Sequence, residues 1–148
     1  MVYIIKGGNI IKRGFRILLA IMILFSLTGC KGKADGDITI YKGDSSKFSQ
    51  EEIDSAIKVV EDNFSFPGSE LKAVRYDEAK SDDVIKEFME YGAGKGTDID
   101  PNNIIVLFSE FDVTGKNPVL SKDEYKNYSW TLVRPDKDGE WKIEDQGY

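Results

Sequence analysis

The chain has 148 residues, no histidine and a single cysteine, and 41% of its residues are hydrophobic. That length is enough for one globular domain, and the residue counts exclude a Ser-His-Asp triad, a Cys-His pair, a His-ligated zinc site and an intramolecular disulfide. Any acid–base catalyst working near neutral pH would therefore be a carboxyl group with a raised pKa, or a lysine or tyrosine with a lowered one.

Charge is divided unevenly along the chain. Residues 1–29 contain four cations and no acid, whereas residues 30–148 contain 16 Lys and Arg against 26 Asp and Glu, which leaves a net charge of −10 there. Phosphate backbones and anionic lipid headgroups repel a body of this charge, so we expect no nucleic-acid partner. The same charge keeps an exported domain soluble.

The N-terminal segment, 1–29, has the pattern of a secretory signal peptide. A basic region, "KGGNIIKRGFR", precedes the apolar run "ILLAIMILFSL" at 17–27. A helix of that length rises roughly 16 Å at about 1.5 Å per residue, which is too short for a hydrocarbon core of about 30 Å. A positive flank, a short apolar stretch and small residues after it are together typical of export.

The end of the apolar run carries a more specific motif. Leu27, Thr28, Gly29 and Cys30 resemble the lipobox of bacterial lipoproteins, in which a leucine and two small residues precede an invariant cysteine. The resemblance implies cleavage between Gly29 and Cys30 and a diacylglycerol joined to the Cys30 sulfur by a thioether. It also implies an extracytoplasmic protein anchored to the cell membrane, since two acyl chains suffice for stable attachment. The alternative is an uncleaved anchor or a cysteine placed by chance.

The segment 30–47 is expected to be a lipidated flexible linker, and 48–148 a single folded domain. The stretch "KGKADGDITIYKGDSSK" is rich in Gly, Lys, Asp and Ser, which favours a linker. Within it, "DITIYK" alternates as an edge strand would, which is the alternative for those six residues.

The folded domain is expected to begin with a helix. Ser49 and Glu52 form a capping-box pair, and Phe48 and Ile53 occupy the positions of a hydrophobic staple. One apolar face then follows at helical spacing, made of Ile53, Ile57, Val60 and Phe64. Pro67-Gly68 ends this helix.

Five more elements are predicted along the chain. They are a strand at 70–78, a second, shorter helix capped by Ser81-Asp82-Asp83 and ended by Gly92, a strand at 103–113, and a hairpin of strands at 128–134 and 140–145. The strand at 103–113 is apolar on both faces through Phe108 and alternates afterwards, which is typical of a central strand leaving the core. The order α-β-α-β-β-β predicts an α+β domain with a long N-terminal helix packed on a curved antiparallel sheet.

This order is similar to that of NTF2-like and cystatin-like folds. The segments "FSQEEIDSAI", "YDEAKSDD", "NNIIVLFSEFDV" and "WKIEDQGY" also resemble an uncharacterised lipoprotein family of Gram-positive bacteria, over about 100 residues from Phe48 to Tyr148. The resemblance implies a fold and a compartment, and it brings no catalytic residue, cofactor or metal ligand.

Three loops have compositions that ligand sites share. "YGAGKGTD" at 91–98 follows a helix, precedes a strand and has Gly after Lys95, so it lacks the features of a Walker loop and is predicted to be a flexible connection. "DKDGE" at 136–140 and "DIDPNN" at 98–103 offer oxygen ligands without EF-hand spacing, and turn geometry alone favours Asp and Gly there. We predict no cofactor and no metal site, with a loose surface calcium site as the alternative.

Four aromatic residues form the candidate pocket: Tyr128, Trp130 and Trp141 on the hairpin, and Phe108 on the neighbouring strand. In a cone-shaped sheet such side chains line a small-molecule pocket, and otherwise they fill the core. No carboxylate is assigned as catalytic.

The expected function is binding at the cell surface, with the membrane as one partner through Cys30 and a protein, peptide or small molecule as the other. The alternatives are an NTF2-like pocket enzyme, an isomerase or hydrolase using carboxylates and tyrosine, and a structural subunit of an envelope complex. An enclosed cavity with a buried carboxyl group beside Tyr128 or Trp130 would favour the enzyme. A filled core with an exposed apolar patch would favour binding.

Overall fold

The computed structural model describes residues 37–148, which form an α+β domain of one five-stranded sheet and two α-helices. Gly29 and Cys30 lie outside the described residues. The elements are β1 (Thr39–Lys42), α1 (Gln50–Asn63), β2 (Ser69–Tyr76), α2 (Glu78–Tyr91), a 3-10 turn (Pro101–Asn103), β3 (Ile104–Val113), β4 (Glu124–Val133) and β5 (Lys142–Gly147). Neither helix within 37–148 is long and apolar enough to cross a membrane.

The strands lie in the order β1-β2-β3-β4-β5. Strands β2 to β5 pair antiparallel, as predicted, but β1 pairs parallel with β2, with Thr39 opposite Ala73. The sheet is therefore mixed. Strand β1 comes from "DITIYK", so the edge-strand alternative is confirmed, and these residues of the predicted linker belong to the sheet.

Helix α1 begins where the capping box predicts. Ser49 Oγ accepts a hydrogen bond from the Glu52 N–H at 3.2 Å, and Glu52 Oε2 accepts one from the Ser49 N–H at 2.7 Å. The helix has 14 residues, the same number as α2. The predicted contrast between a long first helix and a shorter second one is therefore not seen.

The two helices are equal because α2 begins earlier than predicted. Its N-cap is Asp77, whose Oδ1 accepts a hydrogen bond from the Lys80 N–H at 3.2 Å. The predicted cap, Ser81, lies inside the helix and is buried, and its Oγ accepts a hydrogen bond from the Val106 N–H at 3.0 Å. The prediction of Ser81 as the N-cap was wrong because the sequence does not show that its hydroxyl accepts a hydrogen bond from the backbone of β3.

The helices cover opposite faces of the sheet. On one face, α2 packs through Ile85 and Phe88 onto Ile104, Val106 and Phe108. On the other face, α1 packs onto a larger core, whose buried members from the strands and the loop before β5 are Leu71, Val74, Tyr76, Ile105, Leu107, Phe111, Val113, Trp130, Leu132 and Trp141. The start of β3 is thus buried on both faces, as its sequence predicts.

Strand β4 begins at Glu124, four residues before the predicted start. A bulge explains the difference, since Asn127 has a φ of 57° and the β3–β4 register shifts there. The extra residue keeps Tyr125 on the same face as Tyr128, and the Tyr125 ring stacks on Phe111 with centroids 5.1 Å apart. Simple alternation of the sequence therefore fails at this point.

Candidate functional site

The four aromatic residues predicted as a pocket lie on two different faces of the sheet. Tyr128, Trp130 and Trp141 contact the α1 side, and Phe108 contacts the α2 side. Trp130, Trp141 and Phe108 are 1%, 6% and 7% exposed, and Tyr128 is half-buried. Their positions match the alternative in which such residues fill the core.

The space beside Trp130 is occupied by other rings. Phe66 stacks on it at 5.9 Å, and Tyr128 meets it edge-on at 5.5 Å. The indole Nε1 donates a hydrogen bond to Ser109 Oγ at 2.9 Å. Burial raises the pKa of Tyr128, and the charge of Asp145 adds to this effect. The chemistry of this cluster is therefore packing.

A buried arginine that carries no sequence motif lies near α1. The Arg134 side chain is 5% exposed, and its Nη1 lies 2.7 Å from Glu52 Oε1. Its guanidinium carbon sits 4.4 Å from the centroid of the Trp141 ring and 5.7 Å from that of Phe48. Its Nε donates a hydrogen bond to Asn103 Oδ1 at 3.3 Å. A planar cation suits this position between rings and a carboxylate.

The partner of that arginine has a lowered pKa. The Ser49 N–H lowers the pKa of Glu52 most, Arg134 lowers it further, and partial burial opposes both. Glu52 Oε1 receives no well-aligned hydrogen bond from the described residues, so Arg134 compensates it mainly by charge. The cluster joins α1 to the end of β4, and its polar groups contact one another. This arrangement indicates a structural role.

A groove lies on the α2 face, between that helix and the last strands, and we call it the α2–β5 groove. It encloses about 460 Å³ and is lined by Val84, Glu87, Phe88, Tyr91, Gly92, Ser129, Thr131, Asp145, Gln146, Gly147 and Tyr148. Helix α2 packs on β3, and Val133 of β4 packs against the same cluster, while Ser129 and Gly147 are half-buried and Asp145 is exposed. The volume is within the range of ligand-binding clefts.

The floor of the groove follows from the β4–β5 register. Ser129 is opposite Gly147, and Thr131 is opposite Asp145, so these side chains share one face. Ser129 Oγ donates a hydrogen bond to the Gly147 carbonyl at 2.8 Å. A Cβ atom added at Gly147 would meet nothing within 4 Å. Ser129 and Gly147 are therefore accessible in part, whereas Thr131 is buried.

The walls come from the helix and from the end of the chain. Val84, Glu87, Phe88 and Tyr91 recur at the i, i+3, i+4, i+7 spacing of one helix face. Tyr91 is 73% exposed, and its hydroxyl donates to Glu90 Oε1 at 2.5 Å, which raises its pKa. Tyr148, 77% exposed, lies at the end of the groove and packs edge-on against Tyr128.

The charged residues of the lining are all acidic. Glu87 and Asp145 contribute carboxylates from two different elements, and the lining contains no lysine or arginine. Asp145 Oδ1 accepts a hydrogen bond from the Gln146 N–H at 2.8 Å, and neither carboxylate forms an ion pair with a cation of residues 37–148. The groove thus combines negative charge with exposed aromatic surface.

The loops singled out by composition form turns. Asp136 Oδ1 accepts from the Asp138 N–H at 3.0 Å, and Asp100 Oδ1 accepts from the Asn102 N–H at 2.9 Å. Gly92 caps the C-terminus of α2, as predicted. Within 37–148 no group of three or more acidic or cysteine side chains converges to hold a metal ion.

Sequence reasoning missed the groove because its residues come from three separated segments. The helix spacing of its wall was visible, but Ser129, Thr131 and Gly147 carry no motif, and only the strand register brings them together. No protein-family model, curated protein or solved structure matches the chain.

Proposed function

We propose that this protein is an extracytoplasmic lipoprotein that is anchored to the cell membrane through Cys30 and acts as a binding module through its α2–β5 groove. Support for the anchor is the lipobox-like Leu27-Thr28-Gly29-Cys30 after a short apolar run. Support for binding is the groove, where exposed Tyr91 and Tyr148 border a partly accessible part of the sheet. Exposed aromatic side chains are frequent where proteins bind partners.

We also propose that the domain is related to the NTF2-like and cystatin-like folds. In support, β2 to β5 form an antiparallel sheet with α1 packed on one face, and register shifts occur in all three of its strand pairs. Such bulges increase the curvature of a sheet.

One observation favours binding at the surface over a pocket enzyme. The space beside Trp130 is filled by Phe66 and Tyr128, while Tyr91 and Tyr148 at the groove are largely exposed. A filled core with an exposed aromatic patch is the arrangement expected of an interaction module.

The anchor is tested by metabolic labelling with a fatty-acid probe. The wild-type protein is expected to incorporate the probe, and Cys30→Ala to incorporate none, because the sulfur is the attachment point. A Cys30→Ala variant that labels as strongly as wild type would show that the proposed anchor is wrong.

Binding through the groove is tested by photo-crosslinking in the cells that make the protein. The photoreactive residue benzoylphenylalanine replaces either Tyr91, at the groove, or Tyr41, on strand β1 and 53% exposed. We expect a discrete crosslinked product from position 91 that is missing from position 41. The same products from both positions, or none from position 91, would contradict a site in the groove.

A further inference from the structure

The chemistry of the groove also indicates what kind of partner it takes, and this inference rests on the proposed function. We propose that the α2–β5 groove binds an extended, basic segment of another protein, with a lysine or arginine side chain held by Glu87 and Asp145. The partner is thus recognised by the positive charge of its side chains and by its extended backbone.

The charges of the groove complement a cationic partner. Glu87 stands on α2 and Asp145 on β5, so a cation that enters the groove meets carboxylates on both sides. Eight acids of residues 37–148 form ion pairs, among them Asp54 with Lys42 and Asp62 with Lys58, whereas Glu87 and Asp145 belong to the larger number that form none. The described residues contain 14 Lys and Arg against 25 Asp and Glu, so the wider field of the domain also attracts a cationic segment.

The exposed aromatic residues of the groove also suit a cationic side chain. The rings of Tyr91 and Tyr148 are largely exposed at the groove. Aromatic rings attract cations through their faces, and the methylene stem of a lysine packs well against such a ring. An acidic groove with tyrosine walls therefore suits a long cationic side chain better than a compact metal ion.

The shape of the groove favours an extended chain over a free amine. Ser129 and Gly147 are half-buried residues of its floor, and a Cβ added at Gly147 would meet nothing within 4 Å. Strand β5 is the last strand of the sheet, so its outer backbone groups have no strand partner among residues 37–148. An extended segment can form backbone hydrogen bonds with such an edge while its side chains enter the neighbouring groove.

The experiment uses the full chain in a nonionic detergent and three fluorescent peptides of alternating sequence. One peptide alternates serine with lysine, the second replaces each lysine with norleucine, and the third replaces each lysine with glutamate. Fluorescence anisotropy is expected to show the lysine peptide binding about tenfold more tightly than the norleucine peptide, and losing affinity as salt is added. The glutamate peptide is expected not to bind.

Two matched double variants distinguish the effect of the groove carboxylates on binding from the effect of the overall negative charge of the domain. Glu87→Gln with Asp145→Asn removes two charges from α2 and β5 inside the groove. Asp83→Asn with Glu144→Gln removes the same charge from the same two elements outside it. The first pair is expected to weaken binding of the lysine peptide about tenfold and the second less than twofold.

A third variant tests the groove without changing its charge. Gly147→Phe places a ring in the open space above the floor, where nothing lies within 4 Å of an added Cβ. We expect it to abolish binding of the lysine peptide while the thermal midpoint of unfolding stays near that of wild type.

The outcomes distinguish the two proposals. Equal binding of the lysine and norleucine peptides, or equal losses in the two double variants, would overturn the inference of a basic partner. If either result were found and Gly147→Phe still abolished binding, the groove would remain the binding site and only the inference of a basic partner would be wrong. Binding of the lysine peptide that survives Gly147→Phe unchanged would overturn the groove, and with it the proposed function.

Discussion

Arg134 Nη1 lies 2.7 Å from Glu52 Oε1, which joins the residue after β4 to the first turn of α1. Trp141 contacts both residues: its ring covers the Arg134 guanidinium, and its Nε1 donates a hydrogen bond to the Glu52 carbonyl at 3.2 Å. The start of α1 and the two ends of the β4–β5 turn therefore meet at one buried cation. This cluster fixes how α1 sits on the sheet.

Arg134→Met is expected to destabilise the domain by about 2–4 kcal/mol. Removing one member of a buried pair costs about 3–5 kcal/mol, and the 21% exposure of the Glu52 side chain reduces the penalty of leaving its charge unpaired. Urea unfolding followed by tryptophan fluorescence measures the change. Lys137→Met, at an exposed position of the turn after β4, is the control and should change the free energy of unfolding by less than about 0.5 kcal/mol. A loss no larger for Arg134 than for Lys137 would show that the ion pair contributes nothing.

Ser81→Ala is expected to cost about 1–3 kcal/mol. The hydroxyl accepts the hydrogen bond of the buried Val106 N–H, and the β2–β3 pairing ends at Arg75 and Phe108, so no β2 backbone group replaces it. Hydrogen exchange should also become faster at Val106. Ser65→Ala, at an exposed position, should leave both measurements unchanged. Unaltered exchange at Val106 in the Ser81 variant would rule out this hydrogen bond.

Gly68 and Gly96 provide a comparison between two left-handed glycines. Both have positive φ, 67° and 73°, so alanine at either position costs about 1–2 kcal/mol of backbone strain. At Gly68 the added Cβ would also lie 2.8 Å from the Lys116 carbonyl oxygen, whereas at Gly96 it would meet nothing within 4 Å. Gly68→Ala should therefore destabilise the domain by at least about 2 kcal/mol more than Gly96→Ala. Equal thermal midpoints would mean that the 68 and 116 segments do not approach each other.

Glu78 should make the stability of the domain depend on pH in the acid range. Hydrogen bonds from the hydroxyls of Ser45 and Ser46, and from the Ser46 N–H, lower the pKa of Glu78 to about 2 from its ordinary value of 4.5. A carboxyl group with a lowered folded-state pKa stabilises the fold fully above its unfolded pKa. That stabilisation is lost as pH falls from 4.5 to about 2.

The measurement is the difference in unfolding free energy between wild type and Glu78→Gln across pH. The difference should be constant above about pH 5.5 and should shrink as pH falls below 4.5. Glu140→Gln, at an exposed position before β5, should leave the acid part of the wild-type curve unchanged. A difference that persists undiminished at pH 2.5 would contradict the lowered pKa.

Much of the domain could be predicted where a local pattern decides the outcome. The capping box placed the start of α1, the doubly apolar run placed β3 at the centre of the sheet, and the turn at 136–140 placed the hairpin. The start of α2 and the extent of β4 could not be predicted in this way. The Ser81 hydroxyl accepts a hydrogen bond from Val106, 25 residues away, and Asn127 interrupts the alternation of inward and outward side chains from which β4 was predicted.

In the candidate site, too, local patterns predicted some features and distant contacts decided others. Tyr128, Trp130, Trp141 and Phe108 were singled out together because strand alternation brings aromatic residues to a face, but alternation does not say which face a helix will cover. Once α1 and α2 pack on opposite sides, these residues become core, and the open surface lies elsewhere.

The sequence by itself determined the local features, because capping, periodicity and turn chemistry depend on residues within a few positions of one another. It also carries the lipobox-like motif that ends at Cys30, on which the proposed anchor rests. Only the tertiary structure decided that Arg134 is buried against Glu52 and that Glu87 faces the same groove as Asp145. These pairs are separated by more than 50 residues of chain, and only the packing of helices on a five-stranded sheet brings such residues together.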